Sequence, residues 1–359
     1  MKKILILYTS VGLGHKSLAE NIGWHLARAD FEVKLADVGA VQRGKFERAL
    51  VAVHQLVNKR APFLWGWLYR FGHYAILPFR VGIARFNSRQ TRQLIEEFRP
   101  DMVITTQTSA SAVIAYLKEK KYYGGLFGIA FSDYHLHPYW LYPQADFYLA
   151  NTKEQQQDMA DRGIAAEKVF VCGITLRPPL PVSARAVREK LGVPAGYRVV
   201  LVGTGSLGIG FKLKDLAVLA RLPKTTVIFA CGRNEELRVK LAALPFPNVI
   251  PLGFYRPMDE LYAVADVMVG KPGGLTTAEI LRCSLPLVMS FMLPGQEELN
   301  AGYLARRNLV IARPRDLAET VETELDTHEF QRCLASNPFV AELVGDGRTV
   351  VAAVKRMLG

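Results

Sequence analysis

Apolar and polar positions along this chain switch repeatedly between two periods. Ile4–Tyr8, Glu32–Ala36, Met102–Thr105, Leu126–Phe131 and Phe147–Ala150 are short runs rich in branched and aromatic residues. They are too brief for helices, so they read as strands. Between them apolar residues recur at helical spacing: Ser17–Ala29, Thr91–Phe98, and Arg43–Asn58 with Phe46, Ala49, Leu50, Val53 and Val57 on one stripe. Strands alternating with helices predict a parallel, doubly wound α/β sheet. At Gly173–Ser183 the text becomes GITLRPPLPVS, and Pro178, Pro179 and Pro181 make it a stiff, extended connection. The alternation then restarts, with strands expected at Arg198–Gly203, Thr225–Cys231, Asn248–Pro251, Asp266–Val269 and Leu287–Ser290. Two Rossmann-like domains facing an interdomain cleft follow, one over 1–176 and one over 177–345. A last helix, Thr349–Leu358 within a 346–359 segment, is expected to cross back to the first domain. In open sheets of this kind ligands lie at the carboxyl ends of the strands.

A length of 359 residues agrees with two domains, and 50% hydrophobic with 22% charged residues excludes wholesale disorder. Cys172, Cys231, Cys283 and Cys333 form no CxxC and no Cys/His cluster. They read as free thiols of a reducing compartment, the first three as packing residues, and not as zinc ligands. The opening MKKILILYTS has too short an apolar run for a secretory leader and reads as a first strand.

Charge adds one feature. The formal net charge is +12, and residues 41–92 hold ten Lys/Arg against Glu47 alone, so this stretch supplies +9 of it. It also holds nine aromatics, among them Trp65, Trp67, Tyr69 and Phe71. Interleaved Arg and Trp/Tyr suit an anionic membrane interface. They also suit a basic face around buried aromatic helices, or a single-stranded nucleic acid. The membrane is the reading taken here, with Trp65, Trp67 and Phe71 entering the headgroup region and Arg70, Arg80 and Arg85 attracting anionic lipid. Arg70, His73 and Arg80 interrupt the apolar span 61–84, which excludes a transmembrane helix there.

Three glycine-rich turns follow expected strands: TSVGLGHKS (Thr9–Ser17), GTGSLGIG (Gly203–Gly210) and GKPGGLTTAEIL (Gly270–Leu281). Such turns let backbone N–H groups approach a phosphate at a helix N-terminus. None matches the dinucleotide or Walker fingerprint. In the third, Gly273, Gly274, Thr276 and Thr277 offer donors to a diphosphate. Glu279 lies one turn further on. A carboxylate accepts two hydrogen bonds from vicinal hydroxyls, as a ribose presents them. It repels phosphate, so cradle and carboxylate serve different parts of one ligand, and a nucleoside diphosphate has both. Taken alone, Glu279 also reads as a solvated helix glutamate and His15 as a helix-start cap. Asp133, His135 and His137 could suggest a metal site, but they alternate at a strand end with no further ligand in view.

The sequence VGKPGGLTTAEILRCSLPLVMSFMLPGQEELNAGYL resembles the donor-site signature of GT-B glycosyltransferases of the lipid-modifying branch. That branch holds monogalactosyldiacylglycerol synthases and processive diacylglycerol glucosyltransferases, and is akin to the lipid II-forming N-acetylglucosaminyltransferase. LYTSVGLGHKSLAENI resembles its glycine loop with histidine, with Leu13 at a usual glycine. FSDYHLHPYW, VCGITLRPPL and GFYRPMDELYAVADVMVGKPGG resemble three further family segments, in the family's order, with Ser132 and Thr175 as departures. The resemblance implies an inverting hexosyltransferase using a UDP-sugar. Uracil would rest on Gly253, Phe254 and Met258. The diphosphate would lie among Arg177, Gly205, Ser206, Lys271, Gly273, Gly274, Leu275 and Thr276, and ribose would hold Glu279. Gln296, Glu297 and Asn300 would meet the sugar. His15 would be the general base, with Gly12, Gly14, Asp133, His137 and Trp140 shaping the acceptor pocket. No Asp-x-Asp is present, so neither metal nor cofactor is expected. The expected partners are a UDP-sugar, a lipid acceptor and an anionic membrane surface, with no nucleic acid. The expected place is the cytoplasmic face of the cell membrane. Diacylglycerol is the favoured acceptor and glucose the favoured sugar. Transfer of N-acetylglucosamine to a polyprenyl-diphosphate acceptor, a UDP-sugar 2-epimerase and a non-catalytic binding protein are the alternatives.

Overall fold

The computed structural model of the protein describes residues 1–9, 13–38, 66, 67, 69, 81, 84, 85, 88–312 and 314–359. The expected helix over 43–58 lies outside the described residues. The chain divides into two units. The first comprises Met1–Arg177, Pro294–Leu299 and Ala341–Gly359; the second comprises Pro178–Leu293 and Asn300–Val340.

The first unit contains six parallel strands: β1 (Lys3–Tyr8), β2 (Glu32–Asp37), β3 (Met102–Thr105), β4 (Leu126–Ala130), β5 (Phe147–Ala150) and β6 (Val169–Val171). Their order is β2-β1-β3-β4-β5-β6. Leu5, Ile6 and Leu7 are wholly buried because both faces of the sheet are covered, which explains why β1 is a continuous apolar run. On one face the helix Leu13–Ala27 buries Leu18, Ile22 and Leu26, spaced by four. It approaches the sheet at Gly23, where an added methyl would lie 3.2 Å from Leu35 and 3.5 Å from Ile6. On the other face Leu5, Leu7 and Val103 join Ile95 of the helix Ser88–Phe98 and Val113 and Leu117 of the helix Thr108–Glu119 in one core.

A two-stranded pair, β7 (Ile174–Thr175) with β14 (Val344–Gly345), holds the 341–359 segment to this unit. The terminal helix Arg348–Leu358 buries Val350, Ala353 and Val354. Asn21 Nδ2 donates to the Thr175 carbonyl at 3.0 Å, and the Lys153 amide donates to Glu342 at 3.2 Å.

The second unit also has six parallel strands: β8 (Arg198–Gly203), β9 (Thr225–Ala230), β10 (Val249–Leu252), β11 (Val267–Gly270), β12 (Leu287–Met289) and β13 (Ile311–Ala312). The order is β10-β9-β8-β11-β12-β13. Chain direction along the sheet reverses between β8 and β11, so the loops after these two strands flank the switch point where such sheets bind ligands. In the first unit the reversal falls between β1 and β3.

The expected long strands are present, with ends shifted by a residue at most. The strands missed, β6, β7, β13 and β14, have two or three residues each, too few to show a period. One helix start differs usefully. The chain turns helical at Leu13, four residues before the expected Ser17, so Gly14 and His15 lie in its first turn rather than in a loop. Among the described residues no helix is long and apolar enough to cross a membrane.

Candidate active site

In the second unit, two loops converge at the switch point. After β8 the chain passes through Gly205, whose φ of +72° is strained for any residue with a side chain. The Lys271 stem lies over it, with Cε 3.0 Å from where a Gly205 side chain would begin. After β11 the chain runs Lys271-Pro272-Gly273 into the helix Gly274–Arg282. Gly273 is the cap residue and supplies no side-chain cap, and the space where its side chain would stand is open. The first turn of a helix points N–H groups outward with a partial positive charge. Here the open space is that beside Gly273, with Ser206, Leu275 and Thr276 half-buried and Lys271 lying over the neighbouring loop at Gly205. That arrangement accepts an anion. The buried Thr277 Oγ1 has no hydrogen-bond partner.

Glu279 lies on the same helix, half-buried. Tyr262 donates its hydroxyl to Glu279 Oε2 at 2.8 Å. Burial raises the Glu279 carboxyl to about 7; Tyr262, Arg282 and Arg256 oppose the rise and Asp259 adds to it. The carboxylate is therefore a held, desolvated acceptor and not a solvated surface group. Asn300, expected on the sugar, is buried and donates from Nδ2 to the Pro272 carbonyl at 3.3 Å, so it braces the cradle backbone. Phe254 is 47% exposed, with the guanidinium carbons of Arg233 and Arg256 at 5.4 and 5.5 Å from its ring centre. Such an apolar plate between cations can stack a base. Gly253 packs against the Arg238 stem, whose Cδ lies 3.6 Å from where a side chain would begin, and Met258 opens the helix Met258–Val264.

The first unit holds the expected base. His15 Oxygen accepts from Thr106 Oγ1 at 2.9 Å, which ties the helix start after β1 to the end of β3. Its ring centre is 6.2 Å from that of Trp140, and its Nδ1 is buried without a hydrogen-bond partner. Burial lowers the imidazole pKa, against the opposing effects of the Asp133 charge and the Thr106 backbone. A neutral imidazole at neutral pH is the form that takes a proton. Trp140 is 5% exposed and packs edge-on against Phe131 at 5.3 Å, so it forms a wall near His15.

Asp133 is buried, and its backbone carbonyl accepts from Asn151 Nδ2 at 2.9 Å and Gln155 Nε2 at 2.8 Å. Gln296 donates to Asp133 Oδ2 at 2.7 Å. Gln296 and Glu297, expected on the donor side, thus belong by their contacts to the first unit, as does the exposed Arg177. The histidines beside Asp133 are engaged by Tyr69: its hydroxyl meets His135 Nε2 at 2.9 Å, and His137 Nε2 donates to its carbonyl at 2.9 Å. His137 Nδ1 accepts from the Tyr139 amide at 3.2 Å, so both its nitrogens are occupied. His137 therefore serves as a brace for the 131–140 segment. Of the expected membrane contacts, Trp67 is 57% exposed and Arg85 is exposed. Gly12, Trp65, Arg70, Phe71 and Arg80 lie outside the described residues. Sequence reading missed Thr106, Tyr262, Asn151 and Gln155, because each meets its partner only through the fold.

Comparison with known proteins adds the family. A family model described as monogalactosyldiacylglycerol (MGDG) synthase matches residues 31–176, and one described as the glycosyltransferase family 28 C-terminal domain matches residues 199–332. A processive diacylglycerol beta-glucosyltransferase of Bacillus cereus is 26% identical over 336 residues, covering 90% of this chain and 84% of its own. The structure of Anabaena Alr3699/HepE in complex with UDP and glucose matches with a TM-score of 0.60 at 18% identity, covering 100% of this chain and 99% of that one. A UDP-N-acetylglucosamine 2-epimerase matches with 0.59 at 13%, covering 99% and 96%. The solved structures speak for the fold alone, which transferases and epimerases share. The two family domains and the Bacillus relative separate them. The chain is a GT-B glycosyltransferase and a hexosyltransferase, similar to the monogalactosyldiacylglycerol synthases over residues 31–176 and to the processive diacylglycerol glucosyltransferases over most of its length.

Proposed function

We propose that this protein moves a hexose, glucose in preference to galactose, from a UDP-sugar to the 3-hydroxyl of diacylglycerol or a glycosyldiacylglycerol. The reaction inverts the anomeric centre, needs no metal or cofactor, and runs at the cytoplasmic face of the cell membrane. One observation carries the donor half: an open, glycine-capped helix N-terminus with a held carboxylate one turn on, within one unit. The helix amides and Lys271 receive the diphosphate, Glu279 the ribose hydroxyls, and Phe254 the uracil. His15 takes the proton of the acceptor hydroxyl. The oxygen then attacks the anomeric carbon opposite UDP, and the bond to the UDP oxygen breaks as the new one forms. A single displacement inverts configuration. The leaving diphosphate's charge meets the helix amides already oriented to receive it. The acceptor class follows the Bacillus relative's name.

Incubation with UDP-glucose and diacylglycerol vesicles in EDTA is expected to release UDP and form a β-glucosyl lipid. Release only with N-acetylglucosamine donors and polyprenyl-diphosphate lipid would replace the acceptor. Lipid-independent interconversion of UDP-sugars would replace the reaction class.

Membrane contact gives a separate test. The wild type is expected to sediment with anionic vesicles in preference to neutral ones, and less so in high salt, since exposed charges are screened within about 8 Å at physiological ionic strength. Arg70→Glu, Arg80→Glu and Arg85→Glu together should weaken this binding and leave UDP affinity intact. Trp65→Ser with Trp67→Ser should weaken it even in high salt. Equal sedimentation of all variants with both vesicle types refutes this contact.

A further inference from the structure

We propose that Tyr262 is a positioning residue for donor recognition: its hydroxyl, 2.8 Å from Glu279 Oε2, holds the carboxylate so that its remaining lone pairs receive the ribose hydroxyls. This rests on Glu279 being the ribose contact. A carboxylate in one rotamer can accept from two vicinal hydroxyls at once, whereas a mobile one loses that geometry. Tyr262 suits the task because it is 5% exposed and fixed in the helix Met258–Val264. Burial, with the Glu279 charge, raises its phenol well above the ordinary range, so at working pH it keeps the proton that it donates to Glu279. It gives Glu279 a donor without a charge that would also attract the diphosphate.

The charged neighbours do not replace it. Asp259, on the helix that carries Tyr262, raises the Glu279 carboxyl. Arg282 and Arg256 lower it, but Arg282 Nη2 is engaged with Asp259 Oδ1 at 3.0 Å. Cys283, the exposed cap of the Glu279 helix, has its sulfur partly desolvated and its pKa raised, so it stays a thiol at neutral pH. Tyr262 is the largest of the influences favouring the ionised carboxylate. Losing its hydroxyl leaves Oε2 without that donor and keeps the carboxyl protonated to higher pH.

The test is calorimetric titration of the full chain with UDP and with 2′-deoxy-UDP across pH 6–9. Wild type is expected to prefer UDP by about tenfold. Tyr262→Phe should reduce this preference to about threefold or less, and move the midpoint of the pH dependence of UDP binding upward. If Tyr262→Phe weakens both nucleotides equally and keeps the wild-type midpoint, Tyr262 is packing and the proposal fails. Should that variant not fold, 3-fluorotyrosine at position 262 donates more strongly in nearly the same volume, and should move the midpoint downward. An unmoved midpoint overturns the proposal. Glu279→Ala is run in parallel: unchanged UDP affinity there would refute the ribose reading itself, an outcome distinct from failure of the Tyr262 variants.

Discussion

His15→Ala is expected to bind UDP-sugar as wild type does and to turn over about 10²–10⁴-fold more slowly, the usual worth of a general base. His15 stands in the first unit, while the helix cradle, Lys271 and Glu279 stand in the second, so the substitution removes nothing that holds UDP. Its pH signature can be signed. Burial lowers the imidazole pKa, so the neutral, proton-accepting form persists below the ordinary 6.5. The acid limb of kcat/KM, which reports the free enzyme, should therefore fall below pH 6.5. Asp133→Asn removes the nearby charge that raises this pKa, and should move the limb lower still. Steady-state rates at saturating acceptor decide the matter. Near-wild-type turnover in a folded His15→Ala protein would sink the role.

The two sheets were legible because their central strands are buried on both faces. KILILY and RVVLVG carry no alternation to confuse with a surface strand, and their lengths exclude helices. The glycine cradle after β11 was legible for a local reason: strand, turn and helix start are contiguous in sequence. What escaped depends on distance along the chain. Tyr262 meets Glu279 across 17 residues, Thr106 meets His15 across 91, and Gln296 meets Asp133 across 163. None of these pairs leaves a periodic trace. The helix start at Leu13 was hidden by two glycines that read as loop, yet Gly14 sits in the first turn with open space around it. There a missing side chain costs little packing. Asn300 and His137 carry the residue types that bind sugars and acceptors, and their contacts with the Pro272 carbonyl, the Tyr69 carbonyl and the Tyr139 amide could not be read from the sequence.

Glu279→Ala should weaken UDP binding by about 1–3 kcal/mol, the loss of charge-assisted hydrogen bonds to two hydroxyls. The pH dependence follows from the carboxyl standing at about 7. Only its ionised form accepts from both ribose hydroxyls, so wild-type UDP affinity should rise as pH rises through about 7, and the Ala variant should lose that rise. Stability runs the other way. The folded carboxyl holds its proton to higher pH than the ordinary 4.5 of the unfolded chain. Its stabilising contribution is whole below pH 4.5, declines between 4.5 and about 7, and is gone above. That difference corresponds to on the order of 3 kcal/mol. Glu279→Gln cannot ionise, so it should melt near wild type at pH 4.5 and above it at pH 8. Melting curves at the two pH values, beside UDP titrations, check both halves. A Gln variant that is no more stable than wild type at pH 8 contradicts the buried, strained carboxylate. One that is more stable yet binds UDP as wild type does shows that the strain serves something other than the ribose.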